Sequence, residues 1–440
     1  MPIKSFKVEG KCALKGRMRM PGDKSISHRA VILAALADGT STIRDLLEST
    51  DVLATVSAFR QLGVKIEGPR DGALWVNGVG LDGLSAPTRP LDMGNSGTAM
   101  RLLAGVLVGQ GFESTLVGDA SLSQRPMGRI IDPLTRMGAK ISGVQDDTPP
   151  LKIRPTKALR AIDYSMPVAS AQVKSALLLA GAYANGATTI TESAVTRDHT
   201  ERMLTGFKYS GQVGRQPIKI EGRGRLSACE ITVPGDLSSA AFFVVWATIA
   251  EGSSVRLENI GINGTRSGVL DILREMGANI QLEFKRVICG EEVADLVISH
   301  SSLNGISIGP ELVSRSIDEF PAIAIAAACA TGRTTIRGAE ELRVKETDRI
   351  RAVVQGLNTL NIEAVELEDG MVITGGELKS GNVNSFQDHR IAMAFSIAGA
   401  ATQGSIRIAD CGNVETSFPD FVSQAAGCGL NIIEQPGDIA

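Results

Sequence analysis

The feature that most constrains this chain is a sixfold internal repeat. A run of small apolar residues ends in glycine and leads into a Thr/Ser/Ile-rich stretch. This happens at Ala30–Ile43, Leu102–Leu116, Ala176–Ile190, Ala241–Val255, Ala322–Ile336 and Ala394–Ile408. The marking glycines are Gly39, Gly111, Gly186, Gly252, Gly332 and Gly404, spaced by 72, 75, 66, 80 and 72 residues. Repetition at fixed spacing means that one supersecondary unit is used six times, each copy covering the apolar face of its neighbour.

Each copy carries a second helical segment that closes on Gly or Asn: Phe59–Ile66, Leu134–Ile141, Phe207–Val213, Leu273–Ile280, Leu357–Ala364 and Ala425–Ile432. Such a residue supplies the left-handed conformation that ends a helix. Asp71-Gly72 and Asp369-Gly370 lie between strand-like runs and read as hairpins. The unit is therefore βαβαββ. Its first helix is apolar on most faces and belongs in the interior. Only 4% of the 440 residues are aromatic while 48 are Gly, so the core is built from Ala, Val, Ile and Leu at close range. The predicted fold class is α/β: two pseudo-symmetric domains, each of three units with interior helices and outer sheets. The predicted division is 1–21 plus 236–440 for one domain and 22–235 for the other, with a hinge near 20–23 and 233–237. Met1–Met20 is expected to join the C-terminal half.

Charge excludes some functions. With 45 basic and 48 acidic residues and no block of like charge, neither nucleic acid nor a membrane surface is an expected partner. The longest apolar runs are too short to span a bilayer. Met1–Lys24 has no signal-peptide core, so a cytoplasmic location is expected. The six cysteines form no CxxC pair, so no metal site is expected. Buried, reduced thiols are the expectation for most of them.

The chemistry gathers at the starts of the inner helices. Polar clusters stand at Asp23–Arg29, Asn95–Arg101, Ser170–Ser175, Asp236–Ala240, Ser316–Pro321 and Gln387–Arg390. Helix N-termini bind phosphate and carboxylate through free N–H groups and a partial positive charge. Asp, Ser and Asn are also ordinary caps, which is the plainer explanation of any single cluster. Caps do not call for Lys24, Arg29 or Arg390, which lie within a turn of these starts. Arg125, Thr196–Arg202 and Leu342–Arg349 add further cations. In the last segment Lys345 and Arg349, four apart, are expected on one helix face beside Glu346. A common space faced by all six starts would hold two anionic metabolites.

The segments PGDKSISHRA, LDMGNSGTAMR, SQRPMGRIIDPL, SAQVKSALLLAGAYANG, TRDHTERML, VPGDLSSAAFF, IDEFPAIAIAAA, ELRVKETDRI, QDHRIAMAF and TSFPDF run in order from Pro21 to Phe421. With them the chain resembles the bacterial 5-enolpyruvylshikimate-3-phosphate synthases, or 3-phosphoshikimate 1-carboxyvinyltransferases. The resemblance implies the inside-out α/β barrel of enolpyruvyl transferases. It also implies transfer of an enolpyruvyl group from phosphoenolpyruvate to the 5-hydroxyl of shikimate 3-phosphate, a step of the shikimate pathway to chorismate and the aromatic amino acids. It implies no cofactor or metal, and a monomer is expected.

Residue by residue, the resemblance assigns Lys24, Ser25, Arg29, Ser170, Gln172, Arg197, Asp318 and Lys345 to shikimate 3-phosphate. It assigns Lys24, Asn95, Gly97, Arg125, Gln172, Arg349 and Arg390 to phosphoenolpyruvate. Asp318 takes the hydroxyl proton, Glu346 protonates the methylene, and Lys24 completes the catalytic set. The small Gly97 implies room for glyphosate. Ala171, Glu341 and Thr416 stand where some members carry Ser, Asn and Lys respectively. A carboxylate pair shares the acid and base work, cations stabilise the charge that develops, and domain closure excludes water.

Two alternatives are weighed against this. Transferases acting on UDP-N-acetylglucosamine resemble this chain in fold but typically use a Cys before an Arg-Pro; Gly118–Gly128 contains none. A non-catalytic repeat scaffold would carry random polar residues at the helix starts. Among the histidines, His28 and His199 are expected to orient binding residues, His389 to support Arg390, and His300 to end a strand.

Overall fold

The computed structural model describes residues 4–215 and 217–436; part of the predicted first segment, Met1–Ile3, lies outside them. The six inner helices are Lys24–Ala35, Gly97–Leu107, Ala171–Gly181, Leu237–Ile249, Phe320–Ala328 and His389–Gly399. Every residue of the last two is buried. The six outer helices are Thr50–Gln61, Gly128–Arg136, His199–Gly206, Gly268–Glu275, Arg349–Thr359 and Phe421–Gly427. No helix of the described residues is long and apolar enough to cross a membrane.

Each repeat owns a sheet. The strand after the inner helix pairs in parallel with a leading strand and antiparallel with the closing strand. Thus Ala187–Thr191 runs parallel to Asp163–Ser165 and antiparallel to Ile218–Glu221. The repeats are βαβαββ, but the chain does not deliver them in linear order. The first repeat takes its leading strand from Leu226–Ser227 and Glu230–Thr232. The fourth takes it from Lys15–Arg19. The sixth is closed by Lys4–Glu9, which lies between Ser405–Ala409 and Ile432–Pro436 with Phe6 opposite Ile408.

The chain divides into two compact units. A terminal unit comprises Met1–Pro21, Gly235–Arg286 and Glu292–Ala440, and a mid-chain unit comprises Gly22–Pro234 with Val287–Glu291. That last piece is the tip of the fourth repeat's hairpin. Each unit has its own apolar core, in which aliphatic and small side chains predominate. The small residues have a purpose in the mid-chain unit. A methyl group on Gly105 would lie 2.3 Å from the Ala176 carbonyl oxygen of the next inner helix, so glycine sets how closely these two helices pack.

Local details depart from the sequence reading. Five inner helices are capped by their own side chains: Asp23, Ser96, Ser170, Asp236 and Asp388 accept from backbone N–H groups of the first turn. The plain capping explanation therefore holds for those five, and the cations beside them are the additional feature. Lys345 is not on the helix of Arg349. Asp348 caps that helix by accepting from the Arg351 amide, while Lys345 follows a 3-10 turn over Glu340–Val344. After the third outer helix the left-handed residue is Lys208 rather than the nearby Gly211. The second hairpin pairs Leu367 with Gly370, so its turn residues are Glu368 and Asp369. Of the six cysteines, only Cys411 is fully buried; the other five are half-buried.

Candidate active site

In the mid-chain unit the expected anion-binding residues stand at or near the starts of the three inner helices, in several local hydrogen-bonded groups. Arg29 is buried at 3% exposure. Its Nε donates to Thr200 Oγ1 at 2.8 Å, its Nη2 to Ser175 Oγ at 2.7 Å and its Nη1 to the Ser25 carbonyl at 2.9 Å. All three partners are neutral. Burial pushes the guanidinium down to about 10, with Glu201 and Asp23 opposing and Arg197 assisting, so it remains cationic at neutral pH. A buried cation held by neutral oxygens attracts an anion strongly, because little solvent screens it.

The remaining residues have their own local partners. Gln172 accepts from Arg101 Nη1 at 2.6 Å and donates to Thr98 Oγ1 at 2.8 Å. Asn95 accepts from Arg125 Nη2 at 2.8 Å and donates to Asp119 at 2.9 Å. A methyl group on Gly97 would lie 2.9 Å from Arg101 Nη1 and 3.3 Å from Arg125 Nη1, so glycine keeps the two cations close to this helix start. Lys24 Nζ pairs with Asp51 at 2.6 Å. Ser170 caps its helix, and Arg197 is half-buried in the loop before the third outer helix.

His28 organises the same region. Its Nδ1 meets Thr55 Oγ1 at 2.8 Å and its Nε2 lies 3.4 Å from Ser96 Oγ. Burial, followed by the nearby Lys24 and Arg29, holds this imidazole well below the usual histidine range against the opposing effect of Asp23. The native state thus resists a proton that the unfolded chain accepts near pH 6.5. Stability is full above that pH and falls as pH drops below it. The excess loss relative to His28→Asn is expected to approach about 1.4 kcal/mol per pH unit. Urea melts of both proteins from pH 7.5 to 5.5 check this; parallel curves would refute it.

In the terminal unit three carboxylates converge on Arg349, which is 1% exposed. Asp388 Oδ2 accepts from its Nε at 2.8 Å, Glu346 Oε2 from its Nη2 at 2.6 Å, and Asp318 Oδ1 from its Nη1 at 3.5 Å. Burial alone would depress this guanidinium, but Asp388, Glu346 and Asp318 outweigh it and hold it above the usual arginine range. Lys345 Nζ lies 3.8 Å from Asp318 Oδ1, and Arg390 Nη1 donates to the Asp318 carbonyl at 3.1 Å. Thr416 is buried and donates to the Asn413 carbonyl at 2.7 Å; it brings no charge to this unit.

Of the proposed site residues, Lys24, Ser25, Arg29, Asn95, Gly97, Arg125, Ser170, Gln172 and Arg197 belong to the mid-chain unit, and Asp318, Lys345, Glu346, Arg349 and Arg390 to the terminal unit. Sequence reasoning did not find their braces: Asp51 for Lys24, Thr200 and Ser175 for Arg29, Arg101 for Gln172, and Asp388 for Arg349. Asp388 carried a signal only as a helix cap. His199 does not reach the Arg29 centre itself; its Nδ1 meets Glu291 Oε1 at 2.7 Å. His300 directly follows the strand Glu291–Ser299.

Six helix-centred βαβαββ repeats in two compact units define an enolpyruvyl transferase fold. The enolpyruvyl transferase NikO from Streptomyces tendae superposes over 100% of both chains with a TM-score of 0.80 at 17% identity. More narrowly, the chain belongs to the family of EPSP synthase (3-phosphoshikimate 1-carboxyvinyltransferase), whose sequence profile matches residues 8–424. It is 56% identical to the 3-phosphoshikimate 1-carboxyvinyltransferase of Alkalilimnicola ehrlichii, over 97% of this chain and 96% of the relative. The enzyme of that name from Acidithiobacillus ferrooxidans is 57% identical, over 95% and 96%. The EPSP synthase structure from Acinetobacter baumannii matches with a TM-score of 0.88 and 48% identity, covering 98% of this chain and 100% of that one.

Proposed function

We propose that this enzyme transfers the enolpyruvyl group of phosphoenolpyruvate to the 5-hydroxyl of shikimate 3-phosphate and releases phosphate. The observation that carries this reading is Arg29, a buried cation with neutral partners, beside Lys24 and Arg197. Family membership supplies the identity of the anion it would take. Lys24, Ser25, Arg29, Ser170, Gln172 and Arg197 hold shikimate 3-phosphate. Asn95, Gly97, Arg125, Gln172 and Lys24, with Arg349 and Arg390, hold phosphoenolpyruvate. Asp318 and Lys345 serve the attacking hydroxyl.

The residues divide the chemistry as follows. Glu346 gives a proton to the methylene carbon, which makes the adjacent enol carbon electrophilic. The 5-hydroxyl oxygen bonds to that carbon while Asp318 takes its proton. The resulting tetrahedral adduct carries both the phosphate and the new ether. Breaking the C–O bond to phosphate, with loss of one proton from the new methyl group, restores the double bond. The lysines and arginines stabilise the charge at each stage. No phosphoryl group is transferred to an acceptor. The enzyme acts as a monomer in this reading.

Phosphate release measured with phosphoenolpyruvate plus either shikimate 3-phosphate or UDP-N-acetylglucosamine tests the assignment. Release only with the first acceptor is expected; release only with the second would overturn it. Glyphosate is expected to compete with phosphoenolpyruvate in the same assay.

A further inference from the structure

The mid-chain unit contains a second feature, outside the residues given roles above. A recess of about 220 Å³ is lined by Ile26, Met203, Pro234 and Ile288 together with two thiols, Cys229 and Cys289. Cys229 lies between the strands Leu226–Ser227 and Glu230–Thr232. Cys289 lies in the turn between Asn279–Ile288 and Glu291–Ser299, 60 residues later. We propose that Cys229 and Cys289 form a modification site for low-molecular-weight disulfides, which convert the pair into an intramolecular disulfide.

Three observations support the pairing. First, the hairpin tip is pinned against this recess. Cys289 Sγ donates to the Glu230 carbonyl at 3.7 Å, and Glu230 directly follows Cys229. Arg202 Nη1 donates to the Gly290 carbonyl at 2.9 Å, and Glu291 meets His199 at 2.7 Å. Second, the Cys229 backbone is fixed on its other side, its amide donating to Ser41 Oγ at 3.3 Å and its carbonyl accepting from the Thr42 amide at 3.2 Å. The two thiols are thus held near one another, and both are only half-buried. Third, the turn itself does not favour cysteine. Cys289 and Gly290 have φ of 50° and 82°, a conformation in which Asn-Gly is preferred and a Cβ is unfavourable.

The chemistry is two successive thiol–disulfide exchanges. The Cys289 thiolate attacks one sulfur of the small disulfide, breaks its S–S bond and releases one small thiol. Cys229, losing its proton to solvent, then attacks Cys289 Sγ and expels the second small thiol. The protein dithiol is oxidised and the reagent is reduced to two thiols. The order follows from burial, which with the neighbouring Cys289 pushes the Cys229 thiol up to about 11. Cys229 is therefore a poor first attacker, and in the second step it acts at the high effective concentration of an intramolecular partner.

The full-length protein treated with oxidised glutathione, alkylated and peptide-mapped by mass spectrometry tests this. A Cys229–Cys289 cross-linked peptide, reversed by dithiothreitol, is expected. C229S is expected to retain one glutathionyl group on Cys289. C289S is expected to lose alkylatable Cys229 at least tenfold more slowly than wild type does. Wild-type protein that keeps both thiols, or carries stable mixed disulfides at both, would overturn the proposal without reference to either variant. Equal loss of Cys229 in C289S and wild type would overturn the assigned order and the pairing with it.

Discussion

Asp318→Asn is expected to lower kcat by about 10²–10⁴-fold, with KM for both substrates moving only a few-fold. Asparagine keeps the shape of the side chain and removes its capacity to take a proton. The backbone carbonyl of Asp318 would still accept from Arg390, a contact that does not depend on the side chain. Arg349 would keep its two shorter carboxylate contacts, to Asp388 at 2.8 Å and Glu346 at 2.6 Å, so the cluster should stay assembled. Steady-state kinetics with each substrate varied in turn makes the measurement. A kcat within twofold of wild type would remove Asp318 from the base role.

Lys174→Met is expected to destabilise the mid-chain unit by about 3–5 kcal/mol, the usual consequence of stranding a buried charge. Lys174 is 1% exposed and pairs with Glu201 at 2.9 Å, itself 1% exposed, and with Glu192 at 3.2 Å. It also donates to the Thr196 carbonyl at 3.3 Å. Methionine fills the space and supplies no charge, so Glu201 is left buried without its counter-ion. At about 2–4 °C per kcal/mol for a unit of this size, the melting temperature should fall by roughly 6–20 °C. Adding Glu201→Gln should recover much of the loss, since the two residues share one interaction. A single variant melting within 2 °C of wild type would show that the ion pair does not hold this loop.

The architecture was legible because it is written six times. The apolar runs marked the inner helices, and the recurrent Gly or Asn marked the ends of most outer ones. Periodicity survives errors in any one copy. The clusters at the helix starts were legible for the same reason, together with their cations. The braces were not, because they arise from pairings remote in sequence. Nothing near Arg349 announces Asp388, 39 residues away, and nothing near Arg29 announces Ser175 or Thr200. Lys345 was misplaced onto a helix because spacing alone cannot see that Asp348 competes as a cap and starts the helix later. The cysteines were read as buried from their apolar neighbours, but a residue at a turn or between two short strands is only half covered, as at Cys289 and Cys229.

The strand Lys4–Glu9, wedged between Ser405–Ala409 and Ile432–Pro436, has a consequence for biosynthesis. Its partners leave the ribosome about 400 residues after it does, a wait of roughly 20–80 s at ordinary elongation rates. Phe6 and Val8, both buried in the finished protein, have no sheet to join during that interval. Residues 22–234 form one uninterrupted stretch that makes up all of the mid-chain unit but the short piece Val287–Glu291, so they are free to fold as they emerge. The nascent chain therefore completes residues 22–234 before Lys4–Glu9 finds its sheet, and a strand made early is among the last to be secured.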